Sequence, residues 1–206
     1  MDIIINWLRG ADFWIQAISL VSGIIYMVMQ VFQHRWMWYL NLVTCSTALI
    51  VAAINSQDGE WAPLWAQTGL NVWFMAMALW GIFHWKKLEA ESNGELHVVK
   101  LPRRKLLFSA ILLAVCTPAV CHFYSITNDP SPVLEGISFV FSIMGAWYLS
   151  CSHLENWHLW IAADIAVALL FARQGDWLMT ALYLCYIVSA IVGLVIWKRK
   201  GVLVQG

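Results

Sequence analysis

Seven apolar runs of about twenty residues, joined mostly by short polar connections, constrain this chain more than any other feature. A helix needs about twenty apolar residues to cross the roughly 30 Å hydrocarbon layer of a bilayer. The runs predict membrane spans at residues 13–32, 36–54, 62–85, 106–125, 133–152, 157–173 and 177–197. The sequence therefore predicts an all-α integral membrane protein whose single transmembrane domain covers residues 1–206.

The composition supports the bilayer as the main partner and excludes several other classes. Hydrophobic residues make up 61% of the chain and charged residues 12%, against about 25% charged in soluble domains. The net charge of zero gives no reason to expect a nucleic-acid partner. Five cysteines without a CxxC pair indicate neither disulfides nor a metal site. No Walker A, GxSxG or HExxH motif is present, so neither an enzyme nor a cofactor is expected.

The basic residues predict the orientation. If the C-terminus is cytoplasmic, ten of the 12 Lys and Arg residues fall on the inner side, as expected for short cytoplasmic loops. An odd number of spans then places the N-terminus on the outer side of the membrane, which is the periplasmic side if the protein lies in a bacterial inner membrane. The one long connection, residues 86–105, is charged and is expected to be a solvated loop without a buried core.

The first three and the last three predicted spans look like copies of each other. The ends of the third and seventh spans match at a spacing of 112 residues. Gly81 and Gly193, and Trp85 and Trp197, match at this spacing. The second and sixth spans both begin with paired tryptophans, Trp36/Trp38 and Trp157/Trp160, and carry a polar residue shortly after, Asn41 and Asp164. We expect parallel repeats at about 13–85 and 133–197 around a linker helix at about 106–125. Transporters with this 3+1+3 plan bind substrate between the halves.

One helical stripe in the sixth span carries two aromatic rings and a carboxylate. Trp157, Trp160 and Asp164 are spaced by three and four residues, so they share a face. An ionisable residue within a span costs about 2.5–3.5 kcal/mol, and an indole face stabilises a cation by roughly 0.5–2 kcal/mol. The stripe predicts a site for a flat cation, although Asp164 could instead hydrogen-bond a neighbouring span.

A second polar stripe lies on the third span. Gln67, Asn71 and Phe74 recur at helical spacing, and Tyr183 stands 112 residues after Asn71. Asn71 and Tyr183 could together hold a hydroxyl or a polar ring substituent. Amides between membrane helices also serve as packing contacts worth about 0.6 kcal/mol, so a packing role for Gln67 and Asn71 is an open alternative. Asn41 joins Gln67 as a further substrate-binding candidate.

Other tryptophans close to span ends are expected to have a different role. Indole rings gather at the membrane–water interface, where their polar N–H meets the headgroups. The residues expected in this belt are Trp7, Trp61, Trp85, Trp177 and Trp197.

With these residues in place, the chain resembles the PnuC family of bacterial vitamin-precursor transporters over essentially its whole length. The resemblance is carried by Trp14-Ile15-Gln16-Ala17, Asn41, Gly81, Trp85, Ser142, Glu155-Asn156-Trp157-His158-Leu159-Trp160, Gly193 and Trp197. It implies a SWEET-like fold, a homotrimer, and facilitated diffusion of nicotinamide riboside that a cytoplasmic kinase traps by phosphorylation. It also implies that the substrate is surrounded by Trp157, Trp160, Asp164, Asn71 and Tyr183.

Two departures from the family pattern keep the substrate open. Asp164 stands where nicotinamide riboside carriers are expected to have asparagine, and Asn71 stands where they are expected to have glutamine. Nicotinamide riboside and thiamine are both flat cations, whereas riboflavin is neutral and fits a carboxylate poorly. We expect nicotinamide riboside first and thiamine as the alternative. A non-transporting membrane sensor or assembly subunit is the alternative from another class.

Overall fold

The computed structural model confirms helices in the order that the apolar runs predict. It describes residues 14, 18, 21–55, 64–91 and 97–205. Over these residues the helices are α1 (Val21–Val31), α2 (Met37–Asn55), α3 (Leu64–Glu91), α4 (Arg103–Ile126), α5 (Pro132–Ser150), α6 (Asn156–Gln174) and α7 (Trp177–Lys200). Trp7, Trp61 and most of residues 13–20, for which the sequence predicts belt positions and a span, lie outside the described residues.

Three of these helices are long and apolar enough to cross a membrane, judged by length and composition. They are α4, α5 and α7, with mean hydropathies of 2.1, 1.4 and 2.3 over their most apolar stretches. Shorter apolar helices cover Val21–Val31 and Met37–Ala53. No residue in the apolar stretch of α4 is buried within the protein. Such an exposed apolar surface requires an apolar solvent, as a lipid bilayer provides.

Helix α5 packs against three other helices. It lies against α3, α4 and α6, while α7 packs on α6 and α2 packs on α3. The indole N–H of Trp73 in α3 donates a hydrogen bond of 3.0 Å to the backbone oxygen of Ile143 in α5. Small side chains let helix backbones approach each other in membranes. The small residues buried along α5 are Gly136, Ser138, Ser142, Gly145, Ala146 and Ser150.

Two tryptophan rings fill spaces that glycines leave open. The ring of Trp38 in α2 lies so close to Gly81 in α3 that a Cβ there would overlap it. The ring of Trp157 in α6 lies in the same way against Gly193 in α7. Trp38 and Trp157 are only 1% and 2% exposed. Each glycine therefore determines how closely a tryptophan-bearing helix approaches its neighbour.

The last tryptophans of α3 and α7 complete this packing. Trp85 meets Trp38 edge to face at 5.3 Å between ring centroids and 88°. Trp197 meets Trp157 at 5.3 Å and 89°. Trp85 and Trp197 are 6% and 0% exposed, so the interface-belt prediction is wrong for both. Their rings face the aromatic core instead of the headgroups; Trp177, 71% exposed, stays a belt prediction.

The long connection after α3 is more ordered than predicted. Strand β1 (His97–Lys100) pairs in parallel with β2 (Val202–Gln205), which follows α7. Val98 is fully buried and belongs to the same hydrophobic cluster as Trp157 and Trp197. The expectation of a solvated loop without buried core is therefore wrong. The cause is the distant pairing of β1 with β2, which covers the end of the helices.

Strand β1 also contacts the turn between α5 and α6. The N–H of Val99 donates to Ser152 O at 3.0 Å, and the N–H of Leu154 donates to Val99 O at 3.1 Å. Both carboxylate oxygens of Glu155 lie 3.3 Å from the N–H of Leu101. Burial lowers the pKa of the His153 imidazole in this turn. We call residues 97–101 with 202–205 the strap, because they join three separate segments at one end of the molecule.

The tryptophan–glycine packing yields a stability prediction. We expect Gly193→Ala to destabilise the protein by about 1–3 kcal/mol, because the new methyl group overpacks the ring of Trp157. Gly69→Ala in α3 is the matched control, since a Cβ there meets nothing within 4 Å and alanine favours a helix more than glycine. Thermal unfolding in detergent measures both. Equal melting temperatures for the two variants would contradict this account of the packing.

Candidate functional site

A cavity of about 390 Å³ lies between all the described helices except α4. Its wall brings together every residue predicted to bind substrate. These residues are Asn41, Gln67, Asn71, Trp157, Trp160, Asp164 and Tyr183. They come from α2, α3, α6 and α7, so distant parts of the chain meet around one space. Whether they contact a substrate stays a prediction.

The α6 wall of the cavity carries the predicted aromatic stripe. Trp157 is buried against Gly193, so it both packs two helices and closes one end of the cavity. Trp160 is half-buried, and its ring lies 6.1 Å from that of Phe74. The indole nitrogens of Trp157 and Trp160 have no hydrogen-bond partner among the described residues. Trp160 is thus the better placed of the two rings to lie against a flat ligand.

The α2 and α3 wall supplies amide groups. Asn71 is 6% exposed and its amide nitrogen donates to the backbone oxygen of Gln67 at 2.9 Å. Asn41 is 8% exposed and its oxygen accepts from the thiol of Cys45 at 3.2 Å. Gln67 is the most exposed of the three. Asn71 therefore places an amide group in the cavity wall.

The α7 wall is aromatic and hydroxylated. Tyr183 stacks on Phe171 at 5.7 Å and 27°, and it meets Tyr186 edge to face at 5.3 Å and 75°. All three rings line the cavity. Phenol hydroxyls both donate and accept hydrogen bonds, so this wall suits a ligand that carries hydroxyl groups.

The charges at the cavity are of one sign. Asp164 and Glu135 both line it, and no Lys, Arg or His does so among the described residues. Sequence reasoning found Asp164 and missed Glu135. The signal for Glu135 was the same, an ionisable residue inside an apolar run predicted to span the membrane at 133–152. Other polar wall residues that were missed are Tyr26, Gln30, Thr44, Ser138 and Ser189.

The arrangement suits binding of a flat cation with polar substituents. Indole and phenyl faces attract cations, carboxylates balance a positive charge, and amide and hydroxyl groups can pair with ligand hydroxyls. Within residues 21–55, 64–91 and 97–205, no three His, Cys, Asp or Glu side chains are placed to hold a metal ion. The described wall therefore carries the aromatic, acidic and hydrogen-bonding groups that such a cation requires.

Comparisons with known proteins identify the family of this chain. The family model described as "Nicotinamide mononucleotide transporter" matches residues 13–199. The nicotinamide riboside transporter PnuC of Escherichia coli is 21% identical over 213 residues, which cover 89% of this chain and 84% of the relative. The protein of the same name from Neisseria mucosa is 23% identical over 194 residues, covering 91% and 73%.

A solved structure shares the fold. The crystal structure of the vitamin B3 transporter PnuC superimposes with a TM-score of 0.68 at 18% identity, covering 96% of this chain and 86% of that chain. The relatives are named as transporters, in agreement with the prediction of a non-enzyme. The apolar helices and the family match make the chain a multi-pass membrane protein. Because the family model covers most of its length, the chain belongs to the nicotinamide mononucleotide transporter family, the PnuC family that the sequence predicted.

Proposed function

We propose that this protein carries nicotinamide riboside across the membrane by facilitated diffusion. The observation that carries the proposal is the cavity wall of α6, where Trp160 and Asp164 place an aromatic face beside a carboxylate. The family match and the names of the E. coli and N. mucosa relatives supply the substrate. Nicotinamide riboside has the required chemistry, since its pyridinium ring is flat and positively charged and its ribose carries hydroxyl groups.

The binding mode follows from the positions of the wall residues. The pyridinium ring lies against Trp160, where a cation gains roughly 0.5–2 kcal/mol from an indole face. Asp164 balances the charge from the next turn of the same helix. The ribose hydroxyls pair with the amide oxygen of Asn71 and the phenol of Tyr183. Trp157 stays packed on Gly193 and forms the closed end of the site.

The 3+1+3 repeat in a SWEET-like arrangement is part of the proposal. Five backbone hydrogen bonds in the α1–α2 turn recur in the α5–α6 turn at a spacing of 119 residues. One example is Met37 N–H to His34 O at 3.0 Å, which corresponds to Asn156 N–H to His153 O at 3.2 Å. The two tryptophan–glycine contacts recur with the same ring geometry. Helix α4, the proposed linker, contributes nothing to the cavity wall.

The recurring turns also change one detail of the predicted repeat. At the spacing that relates the two turns, Asp164 corresponds to Cys45, and Trp160 corresponds to Asn41. Asn41 and Asp164 are therefore not matched in this register. The two halves therefore carry different groups at corresponding positions. A carboxylate in one half corresponds to a thiol in the other, and an indole corresponds to an amide. This asymmetry suits a substrate whose two ends differ.

The remaining expectations are proposals about cellular context. We propose an inner-membrane protein with a periplasmic N-terminus, a cytoplasmic C-terminus and a homotrimeric assembly. Facilitated diffusion alone only brings a cation to electrochemical equilibrium across the membrane, so a cytoplasmic kinase that adds phosphate would keep the product inside. The strap, which joins the inner loop to the C-terminal strand, would then lie on the cytoplasmic side.

Thiamine is the second candidate substrate. It is also a flat cation with a hydroxyl group, and the carboxylate of Asp164 suits it as well as it suits nicotinamide riboside. The names of the relatives place nicotinamide riboside first.

The function predicts saturable uptake by the purified protein. We expect proteoliposomes that contain only this chain to take up radiolabelled nicotinamide riboside and to exchange it in counterflow. Unlabelled nicotinamide riboside should compete, whereas riboflavin should not. Competition by thiamine alone would reverse the ranking of the two substrates. Absence of counterflow with either cation would favour the sensor or assembly role.

The carboxylate on α6 gives a second prediction. We expect Asp164→Asn to weaken nicotinamide riboside binding by roughly tenfold or more, because a charge partner in a site of low dielectric is lost. Asp176→Asn is the matched control, since Asp176 is exposed, lies outside the cavity and keeps an oxygen that accepts the Met179 N–H. Calorimetric titration in detergent measures both variants. Unchanged affinity in Asp164→Asn would leave Asp164 with a packing role.

The proposed orientation can be tested independently of transport. We expect a C-terminal fusion to green fluorescent protein to fluoresce and a C-terminal fusion to alkaline phosphatase to be inactive, because the C-terminus faces the cytoplasm. The same phosphatase inserted in the loop at residues 127–131 should be active. The opposite pattern would reverse the topology without affecting the site.

A further inference from the structure

Glu135 occupies the end of the cavity away from Trp157. It lies in the first turn of α5, and its side chain lines the wall. Helices α5 and α6 follow each other through a short turn and pack side by side. The start of α5 therefore lies beside the end of α6, which places Glu135 at the same end of the cavity as Phe171. Asp164, in the middle of α6, lies between these two ends of the cavity.

The backbone around Glu135 is held firmly in place. Pro132 begins the helix, and the N–H of Glu135 donates to Ser131 O at 3.1 Å. Behind it, Gly136 lies so close to Cys121 of α4 that a Cβ would contact the sulfur. The carboxylate thus projects from a fixed helix end.

No positive side chain balances this carboxylate among the described residues. Glu135 forms no ion pair with them, and no basic residue lines the cavity. The ionisable groups that interact with it are acidic or phenolic, namely Asp129, Tyr124 and Tyr183. Tyr183 interacts electrostatically with both Glu135 and Asp164. The cavity therefore presents two separated carboxyl groups on a wall that also carries aromatic rings and hydroxyl groups.

We infer that Glu135 is a specificity-determining residue that recognises the positive charge of a substrate at the end of the cavity opposite Trp157. A cation that enters at this end meets Glu135 first and then reaches Asp164. The inference rests on the proposed function, because it assumes a cationic substrate that moves through this cavity. In the proposed topology, this end faces the periplasm.

Charge recognition at the entrance predicts a change in KM rather than in the maximal rate. Charges at the rim of a site mainly change association rate and its dependence on salt. We expect Glu135→Gln to raise the KM for nicotinamide riboside roughly tenfold at low ionic strength. The maximal rate should stay close to that of the wild type, and added salt should reduce the difference, since salt screens exposed charges.

A neutral ligand of nearly the same shape separates charge from packing. Reduced nicotinamide riboside lacks the positive charge of the ring but keeps the carboxamide and the ribose. We expect its uptake by Glu135→Gln to equal that by the wild type. Glu135→Asp keeps the charge and should retain most of the affinity for the cation. The control is Glu155→Gln, because Glu155 lies outside the cavity and glutamine keeps an oxygen for the Leu101 N–H.

Each outcome of this comparison in proteoliposomes decides something. A higher KM for the cation alone supports the inference. An equal rise in KM for both forms would show that Glu135 acts through packing. An unchanged KM for both forms would show that Glu135 does not recognise the substrate. Either result overturns the inference and leaves the proposed function intact. Failure of vesicles with the wild-type protein to take up either form would overturn the proposed function. Size-exclusion profiles and melting temperatures confirm that all variants are folded.

Discussion

The fit of an indole ring into the space beside a glycine holds this molecule together. Helices in lipid gain little from burying apolar surface, because the surrounding acyl chains are equally apolar, so close packing decides which faces meet. Trp38 on Gly81 and Trp157 on Gly193 provide this packing, and Trp85 and Trp197 close it with edge-to-face contacts. Edge-to-face aromatic pairs add about 0.5–1.5 kcal/mol beyond the area they bury.

The same packing shapes the cavity. The rings of Trp38 and Trp157 are buried in the helix contacts and also form part of the cavity wall. Any movement that opens the cavity at this end must therefore displace a ring from a glycine. The strap adds a second restraint, because Val98 is packed into the same hydrophobic cluster as Trp157. Helix packing and the cavity wall share these rings at this end, whereas the rings of Phe171 and Tyr183 near Glu135 contact each other and no glycine among the described residues.

The sequence predicted the helices and the residues around the cavity well, because polar side chains in apolar runs are conspicuous. Asp164, Asn71 and Tyr183 were found in this way. Glu135 was missed because acidic residues near span ends usually meet water. Burial of Trp85 was missed because a tryptophan directly before a basic pair has the same sequence pattern whether its ring faces headgroups or a protein core. The strap leaves no local signal, since each strand has four residues and pairs with a segment about a hundred residues away.

The described cavity wall carries carboxyl groups and no basic side chain, which suits a substrate that crosses as a cation. A cation that crosses without a change in the protonation of Asp164 or Glu135 carries its own charge through the membrane potential. With the cytoplasm negative by 100 mV, that transfer is favourable by roughly 2.3 kcal/mol. The gain corresponds to an inward concentration ratio of about fiftyfold. A carrier of this kind would be electrogenic and would accumulate its substrate without a coupled ion.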